Sequence, residues 1–144
     1  STETGAVLLR NILIPLDLAP YPETVVEVAT SLVNTLGVQA VNYHLLHTNR
    51  AGSRLGVEMP ERTPHQFNLL EGAGDPLAAV LGAARRVAAD LIVTGASRHA
   101  GVLESIRGTM AERIVRYADC PVLTVPTDLL LNSTLQEVLI YQTE

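Results

Sequence analysis

Short apolar runs alternate along the chain with stretches whose apolar positions recur at helical spacing. Ile12-Leu13-Ile14-Pro15-Leu16 is an apolar run that ends at Asp17, and the prolines at 20 and 22 bar its continuation as a central strand. From Pro22 to Leu36, Val25, Ala29, Leu32 and Leu36 fall on one helical face, and Gly37 stands where a glycine cap closes a helix. Ala40 to His47 mixes β-branched, aromatic and aliphatic residues without helical period, which predicts a second strand. Arg50 to Pro64 carries glycines, prolines and arginines with no period and reads as a surface loop.

Phe67-Asn68-Leu69-Leu70 predicts a third strand. Asp75-Pro76 is a helix start, because the carboxylate accepts a free N–H at the cap and proline at the first helical position has no N–H to lose. Leu77, Val80, Leu81, Ala84 and Ala88 would form that helix's buried stripe. Leu91-Ile92-Val93-Thr94 is a continuously apolar strand of the kind covered on both faces, and Gly95 ends it. Thr109 and Glu112 have capping-box spacing, with Met110, Ile114 and Ala118 as the following apolar face, and Val122-Leu123-Thr124-Val125 is the fifth strand. Strands alternating with helices through short connections predict an α/β fold: an open, five-stranded parallel sheet with helices on both faces, Rossmann-like. The 144 residues suit a single domain, with its core over residues 11–126 and a tail over residues 127–144.

Composition narrows the function. A formal net charge of −5 offers no basic face for a nucleic acid, and no apolar run is long enough to span a membrane. Cys120 is the single cysteine, so no internal disulfide forms; it reads as a buried, inert thiol, and a cytoplasmic setting is expected. All ten basic residues are arginine, which excludes a Schiff-base lysine and the lysine-dependent phosphate loop. His44 and His47 are three apart, hence on opposite faces of a strand, and no cysteine or carboxylate cluster joins them, so no metal site is expected. The chain does not open on methionine, which fits a module excised from a longer protein, for instance one attached to a membrane transporter.

Several strings resemble the universal stress protein family from Asn11 to Pro126: Ile12-Leu13-Ile14-Pro15-Leu16-Asp17, Gly74-Asp75-Pro76, Asp90-Leu91-Ile92-Val93-Thr94-Gly95, Gly108-Thr109-Met110-Ala111-Glu112-Arg113-Ile114-Val115-Arg116 and Cys120-Pro121-Val122-Leu123-Thr124-Val125-Pro126. Nucleotide-binding members carry a glycine, two residues, a second glycine, nine residues, then Gly-Ser or Gly-Thr. Gly95 and Gly108-Thr109 keep that spacing, but Arg98 occupies the second glycine's place. The resemblance implies an adenosine end held by Pro15, Asp17 and Thr48 and by Thr94 beside Gly95. It also implies homodimers through the fifth strand. Two features depart from the family: the polar second strand Tyr43-His44-Leu45-Leu46-His47, and the abbreviated segment from Asn49 to Pro64.

The chemistry of these residues agrees with such a ligand. A carboxylate such as Asp17 accepts hydrogen bonds from both ribose hydroxyls, and Gly95 lets backbone approach a phosphate without a Cβ in the way. Gly108 and Thr109 open a helix whose free N–H groups and positive dipole end attract anions. Asp17 and Thr109 are equally suited to capping their local turns. Arg98 either pairs with phosphate or fills the space where phosphate would lie; Arg98 and Arg107 flank the loop, and His99 lies in it.

The expected function is a regulatory adenine-nucleotide-binding module with ATP as ligand, ADP or AMP standing in the same place, and Mg accompanying the phosphates without a protein ligand. Catalysis would reach slow ATP hydrolysis at most, because the sequence shows no general base or metal pair. The alternatives are a dimerisation or signalling domain that binds no nucleotide and a sensor of AMP or a cyclic nucleotide. The apolar tail, with Leu129-Leu130-Leu131 and Leu135 to Tyr141, should pack on its own body or on a second subunit.

Overall fold

A computed structural model of the chain describes residues 9–16, 22–38, 40–48, 65–96, 110–126 and 139–141. The elements in chain order are β1 (Asn11–Pro15), α1 (Pro22–Leu36), β2 (Asn42–His47), β3 (Gln66–Glu71), α2 (Pro76–Arg86), β4 (Leu91–Ala96), α3 (Met110–Tyr117), β5 (Val122–Pro126) and β6 (Leu139–Tyr141). The sheet order is β3-β2-β1-β4-β5-β6. The first five strands run parallel, as expected, and a sixth, drawn from the tail, pairs antiparallel with β5.

Two apolar layers sandwich the sheet, because successive side chains of a strand point to opposite faces. Ile12, Ile14, Tyr43, Leu45, Val93, Leu123 and Val125 pack with Val25, Val26, Ala29 and Val33 of α1. Leu13, Leu46, Ile92 and Val122 pack on the other side with Leu77, Val80 and Ala83 of α2 and Ile114 of α3. Crossovers that run in opposite directions along the sheet from β1 account for the split.

Helix ends explain where the expected stripes shift. Gly37, at φ 69°, is the left-handed residue that closes α1; its N–H reaches the Asn34 carbonyl and the Val38 N–H reaches that of Val33. Leu36, in the last turn, is 44% exposed, and the buried set is Val25, Val26, Ala29 and Val33. A 15-residue helix is about 22 Å long against about 17 Å for a five-residue strand, so its final turn overhangs the sheet. The Asp75 carboxylate accepts the Ala78 N–H at 3.0 Å, as the N-cap predicts. At the other end of α2, Ala88 lies past the helix at φ 51°, with its N–H on the Arg85 carbonyl and the Ala89 N–H on that of Ala84. Ala88 is therefore the turn residue of a left-handed cap and not part of the stripe. Gly95 does not end β4: it pairs with Val125, and Ala96 with Pro126.

Candidate functional site

Pro15, Thr48, Thr94 and Gly95 all lie at the carboxyl end of the parallel sheet, Thr48 directly after β2 and the others in the last residues of β1 and β4. Asp17, Arg98, Gly108 and Thr109, with His99 and Arg107, lie outside the described residues. β1 stands between β2 and β4, and β4 begins the half of the sheet wound in the other direction, so the boundary between β1 and β4 is the topological switch point.

Proline sets how far that boundary stays closed. The β1–β2 register continues to Pro15–Leu46 and the β4–β5 register to Ala96–Pro126, whereas β1–β4 pairing stops at Leu13–Ile92. The N–H and C=O groups of a strand alternate sides. The Leu16 N–H donates to the Leu46 carbonyl at 2.9 Å and the Arg10 carbonyl accepts from Asn42 at 2.8 Å, so even-numbered residues of β1 face β2. The Asn11 carbonyl accepts from the Asp90 N–H at 2.8 Å, so odd-numbered residues face β4. Residue 15 is odd and has no N–H, and the β4-facing ladder loses its donor just beyond the last β1–β4 pair. At the opposite end the Asp90 carboxylate accepts from the Arg10 and Asn11 N–H groups at 2.9 and 3.0 Å, holding the two strands together there.

The side chains at this end are closely packed. Thr48 is 6% exposed, and a Cβ placed on Gly72 would stand 3.4 Å from its methyl and 2.9 Å from the Ala79 Cβ. Gly72, whose N–H donates to the His47 carbonyl at 2.8 Å, thus lets α2 approach the end of β2. Thr94 and Thr124 are register partners, both buried on the α2–α3 face; the Thr94 hydroxyl lies 3.4 Å from the Gly95 carbonyl, and the Thr124 hydroxyl has no hydrogen-bond partner.

Two histidines went unassigned by sequence reasoning, which placed them on opposite faces and no further. Strand alternation puts His44 with Leu46 and His47 with Leu45, and those leucines belong to opposite core layers. His44 Nε2 lies 3.1 Å from the Asn11 amide oxygen, its Nδ1 is buried without a partner, and burial lowers its pKa below the ordinary value. His47 Nε2, beside Thr48, is also buried without a partner. Nothing in the pattern of residue types marks a strand histidine as buried. Among the described residues no three histidine, cysteine or acidic side chains could hold a metal ion together. Burial, with Asp119 and Asp90 nearby, pushes the Cys120 thiol up to about 11, which leaves it protonated at neutral pH. A cleft of about 170 Å³, lined by Ala84, Ala88, Ala118 and Cys120 among others, lies at the amino ends of β4 and β5, the far end of the sheet from Thr94 and Gly95.

The order β3-β2-β1-β4-β5, with helices on both faces and β1–β4 pairing that ends at Leu13–Ile92, defines a doubly wound, Rossmann-like α/β domain. The sequence model of the universal stress protein family matches residues 9–126, and the chain belongs to that family. Solved structures agree on the fold. A universal stress protein from Archaeoglobus fulgidus DSM 4304 aligns with TM-score 0.60 at 20% identity over 81% of this chain; the chain spans 43% of that protein's length. A universal stress protein in complex with cAMP aligns with TM-score 0.59 at 14% identity, over 83% of this chain and 98% of the other. A universal stress protein family protein from Arabidopsis thaliana with AMP bound aligns with TM-score 0.56 at 14% identity, over 87% and 97% of the two chains. No curated protein sequence matches significantly. No helix among the described residues is long and apolar enough to cross a membrane.

Proposed function

We propose that this chain is a regulatory adenine-nucleotide-binding domain whose ligand enters the crevice between β1 and β4. The observation that carries the reading is the early end of the β1–β4 ladder at Leu13–Ile92, opposite the missing N–H of Pro15. Ligands of open parallel sheets collect at such a boundary, and two structural neighbours hold AMP and cAMP. In this reading Pro15, Asp17 and Thr48 border the nucleoside, with Thr94 beside Gly95, while Gly95, Arg98, Gly108 and Thr109 meet the phosphates. ATP is the ligand first proposed, with Mg held by its phosphates and turnover no faster than slow hydrolysis. The domain acts in the cytoplasm as a homodimer assembled on the β5 side of the sheet, free-standing or joined to a membrane transporter.

A second reading, a sensor of AMP or a cyclic nucleotide, is favoured by the ligands of those two neighbours. In this second reading Arg98, standing where nucleotide-binding members of the family carry a glycine, would leave less room for a phosphate chain. Calorimetric titration with ATP, ADP, AMP and cAMP separates the readings. The first predicts tightest binding of ATP, and the second of a monophosphate. Absence of heat with all four at millimolar ligand would reject both. Arg98→Gly then reports the arginine's part: lost affinity marks it as a phosphate ligand, and gained affinity as an obstruction.

A further inference from the structure

We propose that β6 is a cap, formed in cis, on the β5 edge of the sheet, and that its release opens this edge to the β5 edge of a second copy; the inference rests on the dimer reading above. The two edges of the sheet are built differently. β3 exposes Gln66, Asn68, Leu69 and Glu71, and the charge of Glu71 with its polar neighbours discourages a further strand. β5 is Val-Leu-Thr-Val-Pro, buried throughout and without a charge, and its edge would invite pairing if left open. That edge is covered by the chain's own β6 through Val122–Tyr141, Leu123–Ile140 and Thr124–Leu139.

Direction identifies the competitor. A twofold axis that joins two β5 edges reverses one strand relative to the other, so a second copy's β5 would run antiparallel to this one. β6 pairs antiparallel with β5 and already runs that way. Both partners would use the same row of β5 N–H and C=O groups, so each excludes the other. β6 has three residues, short for a strand, and its hold depends on being tethered. A tethered strand competes at an effective concentration on the order of millimolar where the tether is short. The cap therefore raises the protein concentration at which two β5 edges pair, and weakening β6 shifts the edge toward the dimer.

Sedimentation equilibrium on the full chain tests this with two opposed variants. In Leu139→Pro/Ile140→Pro at least one ladder donor is lost, because N–H groups alternate sides along the strand, and the dimer dissociation constant should fall about tenfold or more. In Cys120→Ser/Thr124→Cys/Leu139→Cys the register partners can form a disulfide that locks the cap, so the oxidised protein should stay monomeric and regain dimerisation on reduction. If the proline variant, folded by circular dichroism, dimerises no more tightly than the parent, or if the oxidised variant dimerises as well as the reduced one, the cap is wrong while the dimer reading survives. A disulfide between chains would mean that tails are exchanged, which also overturns it. Absence of dimers in every form up to millimolar protein overturns both readings.

Discussion

Gly72 and Gly82 sit within one short stretch, and substituting either by alanine should move stability in opposite directions. At Gly72 a Cβ would stand 2.9 Å from the Ala79 Cβ and 3.4 Å from both the Leu46 and Thr48 side chains. Ala79 is held in α2, so it cannot swing aside, and the helix itself must shift. Overpacking of this kind costs about 1–3 kcal/mol, and at this chain length each kcal/mol lowers Tm by about 3–4 °C, so Gly72→Ala should melt roughly 3–12 °C below the parent. Gly82 lies within α2, and a Cβ added there would meet nothing within 4 Å. There alanine should stabilise by about 0.5–1 kcal/mol through helix propensity alone, raising Tm by roughly 2–4 °C. Differential scanning calorimetry of the parent and both variants is the assay. If Gly72→Ala melts at or above the parent, the close approach of α2 to the end of β2 is wrong.

Four further outcomes follow from buried polar groups and helix ends. Tyr43 is fully buried, stacks on Phe67 at 4.7 Å and leaves its hydroxyl without a partner, so Tyr43→Phe should be neutral or stabilise by up to about 1 kcal/mol in urea titrations. Burial lowers the His44 pKa in the folded chain, so the unfolded state takes up a proton first as pH falls through about 6.5; stability should be unaffected above that pH and decline below it, and His44→Gln should flatten the decline of the urea midpoint between pH 7.5 and 5.5. Ala88→Gly should stabilise by about 1 kcal/mol, because glycine relieves the left-handed cap at φ 51°; a lower urea midpoint would refute that assignment. With its thiol raised by burial to about 11, Cys120 should react with a disulfide reagent on the order of 10-fold more slowly in the native chain than in the unfolded one at pH 8, the smaller thiolate fraction being partly offset by the thiolate's greater nucleophilicity.

The parallel fold was legible because β1, β4 and β5 are buried on both faces and so appear as short, largely apolar runs, while Asp75-Pro76 and Gly37 mark helix ends through backbone chemistry that side-chain type reveals. The cap at Ala88 was not legible, since alanine is a helix former and nothing in its identity announces a left-handed turn. Leu36 looked like core for a related reason: periodicity gives the face of a helix but not where the sheet beneath it stops. At the site, Pro15 was visible as a residue of β1, but its effect on the β4 side depended on which strand neighbours β1 and on the parity of its hydrogen bonds. The sixth strand was hidden because three residues of an apolar tail carry no recognisable strand period.

Amide chemical-shift mapping with AMP and then ATP tests the proposed crevice most directly, since it reports where on the chain a ligand sits as well as whether it binds. Shifts should concentrate at Leu16, Thr48, Thr94, Gly95 and Ala96, beyond the point where β1 and β4 part. Shifts confined to Ala84, Ala89 and Cys120 at the other end of the sheet, or no shifts at millimolar nucleotide, would contradict it.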